Sequence, residues 1–277
     1  MKRIFILGSS GYVGNHLKSF LCDDFKIVTA GRKNSDVFFD LEDTDNNSLL
    51  NEVTSDDTVV FLSAISAPDE CEKNYQRAYN INVKNSIKLI SALLEKKAKI
   101  IFSSSDVVFG DAKIICDELS EKKPFGKYGN MKSEVEDTFS GNKNFFTIRF
   151  SYILGKGDKF SEMVKSYSDE NKELDVFDGF ERNVISINDV LLGIRNIILN
   201  WDIIDTRVVN FSGPELISRQ KIVLALHKEK YTNLKYQFTD APDVFWLGRP
   251  KQINTKSIYL ESILERECES YLKVIKG

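Results

Sequence analysis

The chain has few of the residues that build metal centres and disulfide frameworks. Its 277 residues include two histidines, His16 and His227, and four cysteines, none of which form a CxxC pair. A metal site and a disulfide framework are therefore not expected. The four widely spaced thiols suit a reducing cytoplasm, which is the expected location.

The sequence also lacks a long apolar run and a strong charge of one sign. No segment approaches the roughly 20 apolar residues of a membrane-spanning helix. The run Ile4–Leu7, which follows Lys2 and Arg3, is too short for the apolar region of a signal peptide. The net charge is −3 and both signs are interspersed, so neither a nucleic acid nor a membrane is expected as a partner.

Three regularly spaced glycines stand near the start of the chain. Ile4–Leu7 reads as a buried parallel strand, and Gly8, Gly11 and Gly14 lead from it into a helical pattern. A strand, a glycine-rich turn and a helix form the usual binding site for a dinucleotide, and a tight turn without a ligand is the alternative. The expected cofactor-binding residues here are Gly8, Ser9, Ser10, Gly11, Tyr12, Val13 and Gly14.

Six further strands alternate with helical segments. They are predicted at Lys26–Ala30, Val37–Leu41, Val59–Leu62, Lys99–Phe102, Phe145–Arg149 and Arg207–Phe211. This alternation predicts an α/β fold with a doubly wound parallel sheet of about seven strands. One helical stretch is expected from Asp69 to about Lys97, with Asn82 making a structural hydrogen bond. The nucleotide-binding domain is predicted at 1–150 with about 183–212, and a smaller C-terminal α/β substrate lobe at 151–182 and 213–277.

The end of the second strand bears on the choice of cofactor. A ribose with a free 2′-hydroxyl is usually bound there by an Asp or Glu, but this chain has Arg32 and Lys33, and Asp36 comes too late. A guanidinium suits the oxygens of a 2′-phosphate, so NADP(H) is favoured over NAD. Ordinary solvated loop charges are the alternative reading of both residues.

A serine-rich segment and a YxxxK motif carry the candidate chemistry. Ser103–Gly110 follows the fifth strand, and Tyr128 and Lys132 are four residues apart, so on a helix they share a face. A neighbouring ammonium favours the phenolate form of a tyrosine, and Ser105 could donate a hydrogen bond to a substrate carbonyl. A chance surface pair is the alternative for YxxxK taken alone.

With GSSGYVG, SSSDVVFG, YGNMK and RNVISINDV, the chain resembles the extended short-chain dehydrogenases/reductases over nearly its whole length, most closely the dTDP-4-dehydrorhamnose reductase subfamily. The resemblance implies a Rossmann sheet and a catalytic set of Ser105, Tyr128 and Lys132. It further implies that Asp40, Leu41, Ser63, Ala64, Ile65, Tyr128 and Lys132 contact the cofactor. The nucleotide-sugar substrate is expected to meet Ser66, Ser105, Asp106, Arg182 and Arg249. A structural salt bridge is the alternative for both arginines.

The same resemblance narrows the reaction. Dehydratases of this group typically have Asp-Glu after the catalytic hydroxyl residue, but here Asp106 and Val107 follow Ser105. Epimerases usually keep an acid at the end of the second strand, and this chain has none. The sequence thus favours NADPH-dependent reduction of a nucleotide-activated 4-keto-6-deoxy sugar. An NADP-binding partner subunit and a sugar-nucleotide epimerase stay as alternatives, and a homodimer formed through helices near 70–97 and 128–140 is expected.

Overall fold

A parallel sheet forms the centre of the computed structural model, which describes residues 1–44 and 48–277. The described strands are β1 (Arg3–Leu7), β2 (Lys26–Gly31), β3 (Val37–Phe38), β4 (Thr58–Phe61), β5 (Lys99–Ser105), β6 (Ala112–Cys116), β7 (Phe145–Phe150), β8 (Ile153–Leu154), β9 (Glu173–Phe177), β10 (Glu181–Asn183), β11 (Ile185–Ser186), β12 (Val208–Phe211), β13 (Leu216–Ser218), β14 (Lys235–Thr239) and β15 (Gln252–Thr255). The helices are α1 (Tyr12–Leu21), α2 (Leu49–Glu52), α3 (Pro68–Lys73), α4 (Tyr75–Tyr79), α5 (Ser86–Glu95), α6 (Gly126–Thr138), α7 (Lys159–Asp169), α8 (Ile187–Leu199), α9 (Arg219–Glu229), α10 (Leu260–Leu264) and α11 (Tyr271–Lys276).

The central sheet has seven strands in the order β12-β7-β5-β4-β1-β2-β3, and every neighbouring pair is parallel. The predicted seven-stranded doubly wound sheet is therefore confirmed. The chain fills one side of β1 with β2 and β3 and then returns to place β4 on the other side. This reversal opens a crevice at the carboxyl ends of β1 and β4, which is the usual ligand position in such sheets.

Helices cover both faces of this sheet. Successive side chains of β1 point to opposite faces, and both faces pack into an apolar core. Ile4 and Ile6 pack into the core shared with α1 and α8, whereas Phe5 and Leu7 pack into the core shared with α5. All four side chains are fully buried. A strand that is buried on both faces is a continuous apolar run, which is why the sequence predicts it well.

The prediction of one helical stretch from Asp69 to about Lys97 is wrong in detail. Helix α3 ends at Lys73, because Asn74 has a φ of −116° and a ψ of 49°, which are not helical, and α4 starts at Tyr75. Residues Asn80–Asn85 then form a π-helical segment before α5 begins. The buried Asn82 in this segment accepts a hydrogen bond from the Ile65 N–H and donates one to the Ile65 carbonyl, both at 2.8 Å. The expected structural role of Asn82 is confirmed.

A second, four-stranded sheet has the order β13-β10-β15-β6, and two-stranded sheets pair β8 with β11 and β9 with β14. A separate apolar core lies beneath them, formed largely by α7, α9 and β9. Within the described residues, no helix combines the length and the apolarity needed to cross a membrane. The boundaries proposed for the two domains stay a prediction.

Candidate active site

A cleft of about 1780 Å³ lies at the carboxyl ends of the central strands, between the large sheet and the C-terminal elements. It brings together all but one of the residues predicted for the site. Those that line it are Gly8, Ser9, Ser10, Gly11, Tyr12, Val13, Gly14, Arg32, Asp40, Leu41, Ser63, Ala64, Ile65, Ser66, Ser105, Asp106, Tyr128, Arg182 and Arg249. The exception is Lys132, which is 2% exposed and lies behind the cleft wall.

The glycine turn has the backbone that a diphosphate site requires. Gly8 has a φ of +86°, which suits glycine, and a Cβ on Gly14 would lie 2.8 Å from the Cα of Ser9. No side chain caps the N-terminus of α1 at Gly11, and its first turn contains no acid. The N–H groups of this turn are therefore available to an anion, and the residues fit a dinucleotide diphosphate.

The rim of the cleft is basic after β2, where the ribose that carries the 2′-phosphate of NADP is expected to bind. Arg32 and Lys33 line the cleft there, together with Lys18 of α1, which the sequence interpretation missed. Asp36 does not line it, because its carboxylate accepts hydrogen bonds from the N–H and hydroxyl of Thr29 at 2.8 and 2.7 Å. At the end of β2 itself the cleft lining is basic, and the nearest acids that line the cleft come from the segment after β3. A guanidinium and an ammonium at this point suit a phosphate at the 2′ position.

The three serines that end β5 form hydrogen bonds with different partners, the first through its backbone carbonyl and the other two through their hydroxyls. Lys132 Nζ donates to the Ser103 carbonyl at 2.6 Å, and the Ser104 hydroxyl donates to the buried Glu136. Ser105 faces the cleft and donates to Asp106 Oδ1 at 3.2 Å. Because 3.2 Å is long for an O–H···O bond, the Ser105 hydroxyl can exchange this partner for a substrate oxygen.

Helix α6 holds Tyr128 at the cleft through contacts at its first turn. Phe125 occupies the N-cap position and has no side-chain acceptor, so Glu72 of α3 takes this role from outside the helix. The Glu72 carboxylate accepts a hydrogen bond from the Lys127 N–H at 2.8 Å. At Gly129, a Cβ would lie only 3.0 Å from the Val107 carbonyl, so the helix packs closely on the turn after β5.

The electrostatics of Tyr128 differ from the sequence-based expectation. Burial raises its pKa well above 10, and the charges of Cys71 and Asp106 add to this effect. Burial also lowers the pKa of Lys132 to about 8, because its ammonium is removed from water. Lys132 Nζ lies 5.7 Å from the centre of the Tyr128 ring and bonds to Ser103 instead. The burial of Tyr128 therefore outweighs any stabilisation of its phenolate by Lys132, and its pKa is raised rather than lowered.

Both arginines expected to meet the substrate are engaged with the protein. Arg182, 5% exposed, donates to the carbonyl oxygens of Glu181, Pro250 and Lys251 at 2.7 to 3.2 Å. Its Nε lies 3.9 Å from the buried carboxylate of Asp106. The other arginine forms a two-pronged ion pair: Arg249 donates to both carboxylate oxygens of Asp69 and also to the carbonyl of Phe245.

Comparison with known proteins identifies a family model and curated relatives that this chain resembles. The family model described as RmlD substrate binding domain matches residues 1–200. The chain is 29% identical over 178 residues to a dTDP-4-dehydrorhamnose reductase of Sinorhizobium fredii, a match that covers 63% of this chain and 58% of the relative. It is 31% identical over 161 residues to a UDP-glucose 4-epimerase of Halalkalibacterium halodurans, covering 53% and 48% respectively. The chain thus spans about half the length of these curated relatives.

Solved structures share the whole fold. The dTDP-4-dehydrorhamnose reductase of Bacillus anthracis, solved in complex with NADP, superimposes with a TM-score of 0.80 at 20% identity. The superposition covers 100% of this chain and 98% of the other. The central sheet and the C-terminal elements therefore both belong to one Rossmann-type architecture.

Proposed function

The chain belongs to the family of the RmlD substrate binding domain, and from this premise we propose that it is an NADPH-dependent reductase of a nucleotide-activated 4-keto-6-deoxy sugar. The observation that carries the proposal is that Tyr128 and Ser105 line the same cleft as the uncapped N-terminus of α1. Reduction of a ketone leaves an alkoxide that must be protonated. A tyrosine whose pKa is raised stays protonated at neutral pH, so it holds the proton that the more basic alkoxide takes up.

Each residue has a definite task in this mechanism. The N–H groups at the start of α1 bind the cofactor diphosphate, and Arg32 and Lys33 bind the 2′-phosphate. When bound, NADPH supplies the hydride. Ser105 hydrogen-bonds to the substrate carbonyl oxygen, and Tyr128 transfers its phenolic proton to that oxygen as negative charge develops. Lys132, fixed by Ser103, keeps a positive charge behind Tyr128 and stabilises the phenolate that results.

Replacement of one hydroxyl tests this assignment. Tyr128→Phe removes the proton donor but keeps the ring, so NADPH binding is expected to persist while kcat falls about 100-fold or more. The decisive measurements are NADPH consumption with a nucleotide 4-keto-6-deoxy sugar and, separately, the Kd for NADPH. Tyr75→Phe is the matched control, because Tyr75 is 41% exposed on α4 and does not line the cleft. Undiminished turnover in Tyr128→Phe would contradict the proposal.

Epimerisation is the second candidate, supported by the relative that is a UDP-glucose 4-epimerase. An epimerase regenerates its cofactor in every cycle, whereas a reductase consumes one NADPH for each product. Conversion of a nucleotide hexose without net NADPH consumption would therefore favour epimerisation. A stoichiometric partner enzyme, together with no NADPH oxidation on any keto-sugar nucleotide, would favour the partner-subunit alternative.

A further inference from the structure

The segment that follows β3 brings an acid to the basic rim of the cleft. Strands β2 and β3 are parallel neighbours, and the Phe39 N–H, directly after β3, donates to the Gly31 carbonyl at 3.1 Å. The chain therefore continues side by side from the two strands, to Arg32 on one and to Glu42 on the other, and both side chains line the cleft. Arg32 makes no hydrogen bond and no ion pair within the described part of the chain. A carboxylate beside this arginine would compete for it with a 2′-phosphate.

Glu42 is prevented from competing in this way, because Arg77 of α4 binds its carboxylate. Two nitrogens of the Arg77 guanidinium donate to the two carboxylate oxygens of Glu42 at 2.8 and 2.9 Å, which is the two-pronged geometry of a strong charged pair. Arg77 also lies 3.6 Å from Glu70 of α3, an acid that does not line the cleft. The hydrogen bond from Arg77 is the main cause that lowers the pKa of the Glu42 carboxyl, and the charge of Arg32 adds to it. Both arginines therefore act on one carboxylate, and Arg77 is the one that pairs with it.

The backbone around Glu42 is fixed by contacts that do not involve Arg77. The Glu42 N–H donates to Asp40 Oδ1 at 2.9 Å. The side-chain amide of Asn85 donates to the carbonyl of Leu41 at 2.8 Å and to that of Glu42 at 3.4 Å. Removal of the Arg77 guanidinium should therefore release the Glu42 side chain and leave residues 40–42 in place.

We propose that Arg77 sets the preference for NADP over NAD, because it neutralises Glu42 and so keeps Arg32 available to the 2′-phosphate. This inference rests on the proposed function, in which Arg32 and Lys33 bind that phosphate. Without Arg77, the Glu42 carboxylate would be available to pair with Arg32 and to repel a 2′-phosphate. It would also be available to accept a hydrogen bond from the free 2′-hydroxyl of NAD, as an acid near this place does in other dinucleotide sites. Arg77 acts through Glu42 and does not itself touch the cofactor.

Arg77→Met tests the inference, because it removes the guanidinium and keeps a long, flexible side chain. In calorimetric titrations the Kd for NADPH is expected to rise about three- to tenfold, since a free carboxylate then faces the 2′-phosphate. The Kd for NADH, which has no such phosphate, should fall or stay within about twofold of wild type. Arg195→Met is the matched control: it breaks a surface ion pair with Asp24 that does not line the cleft, so neither Kd should change.

Removal of the acid together with the arginine distinguishes this mechanism from direct binding of the phosphate by Arg77. The Kd of Arg77→Met/Glu42→Gln for NADPH is expected to lie within about twofold of the Kd of Glu42→Gln alone, because the amide carries no charge to be neutralised. The loss of affinity in Arg77→Met should also shrink as salt is added, since these charges are exposed to solvent. A double variant that binds NADPH as weakly as Arg77→Met would show that Arg77 acts on the phosphate without Glu42, and would overturn the inference.

Three other results would overturn it in different ways. Wild-type affinity for NADPH in Arg77→Met would show that Glu42 has no part in the choice of cofactor, and would leave the proposed function intact. Equal losses of NADPH and NADH affinity would show that Arg77 only maintains the shape of residues 40–42. A wild-type protein that binds NADH more tightly than NADPH would contradict the cofactor of the proposed function together with this inference.

Discussion

At the scale of single residues, Lys132 makes the site sensitive to pH. Burial lowers its pKa to about 8, so the ammonium is present below this pH and is lost above it. In the proposed mechanism, positive charge behind Tyr128 stabilises the phenolate that forms, so loss of this charge should slow turnover. We expect kcat/KM for NADPH to fall about tenfold per pH unit above the pKa.

Pre-steady-state and steady-state rates from pH 6 to pH 10 check this expectation. Lys132→Gln is the informative variant, because it should give a low rate without the alkaline decline. A wild-type profile that is flat up to pH 10 would show that the charge of Lys132 has no part in catalysis.

The positions of candidate residues followed from the sequence where local spacing determines them, whereas their catalytic roles stay predictions. Ser105 and Tyr128 were placed correctly in one cleft, because a strand end and a helix start meet there. The spacing could not show that Lys132 would bond to Ser103 rather than approach Tyr128. Nor could it show that Arg249 is paired with Asp69, 180 residues away. Such pairings depend on tertiary contacts that no motif encodes.

At the scale of elements, the position of helix α6 depends on a carboxylate from α3. Glu72 accepts from the Lys127 N–H and supplies negative charge at the positive end of the helix that carries Tyr128. Glu72→Ala is expected to cost about 0.5–2 kcal/mol of unfolding free energy, as the loss of an N-cap does, and to lower kcat. Denaturant unfolding and turnover measure the two effects. Glu72→Gln, which keeps an acceptor, should lose much less, and equal losses in both variants would contradict a capping role.

The strands of the central sheet were predictable because their burial leaves continuous apolar runs in the sequence. The breaks in the helical stretch between α3 and α5 could not be predicted, because both Asn74 and Asn82 are compatible with a helical pattern. The π-helical segment follows from the hydrogen bonds of Asn82 to Ile65, which tie it to the loop after β4. That loop lines the cleft, so a tertiary contact ties the irregular helical segment to the cleft wall.

At the scale of the whole molecule, the cleft joins elements that are distant in the sequence. Ion pairs and hydrogen bonds cross it at its floor and rim, such as the pair of Asp106 with Arg182 and that of Asp69 with Arg249. A ligand that occupies the cleft should therefore stabilise both sides together. Homodimerisation stays a prediction, since a single chain does not test it.

Ligand-linked stability of the whole molecule tests the cofactor. A ligand present at a hundred times its Kd raises the unfolding free energy by about 2.7 kcal/mol. At equal concentrations NADPH should stabilise the protein more than NADH, by about 1.4 kcal/mol for each tenfold difference in Kd, if Arg32 and Lys33 bind the 2′-phosphate as proposed. Arg32→Ala should remove most of this difference in thermal-shift measurements. Lys26→Ala removes a charge from the exposed start of the same strand and should leave the difference unchanged. Stronger stabilisation by NADH than by NADPH in the wild-type protein would show that the cofactor is NAD(H).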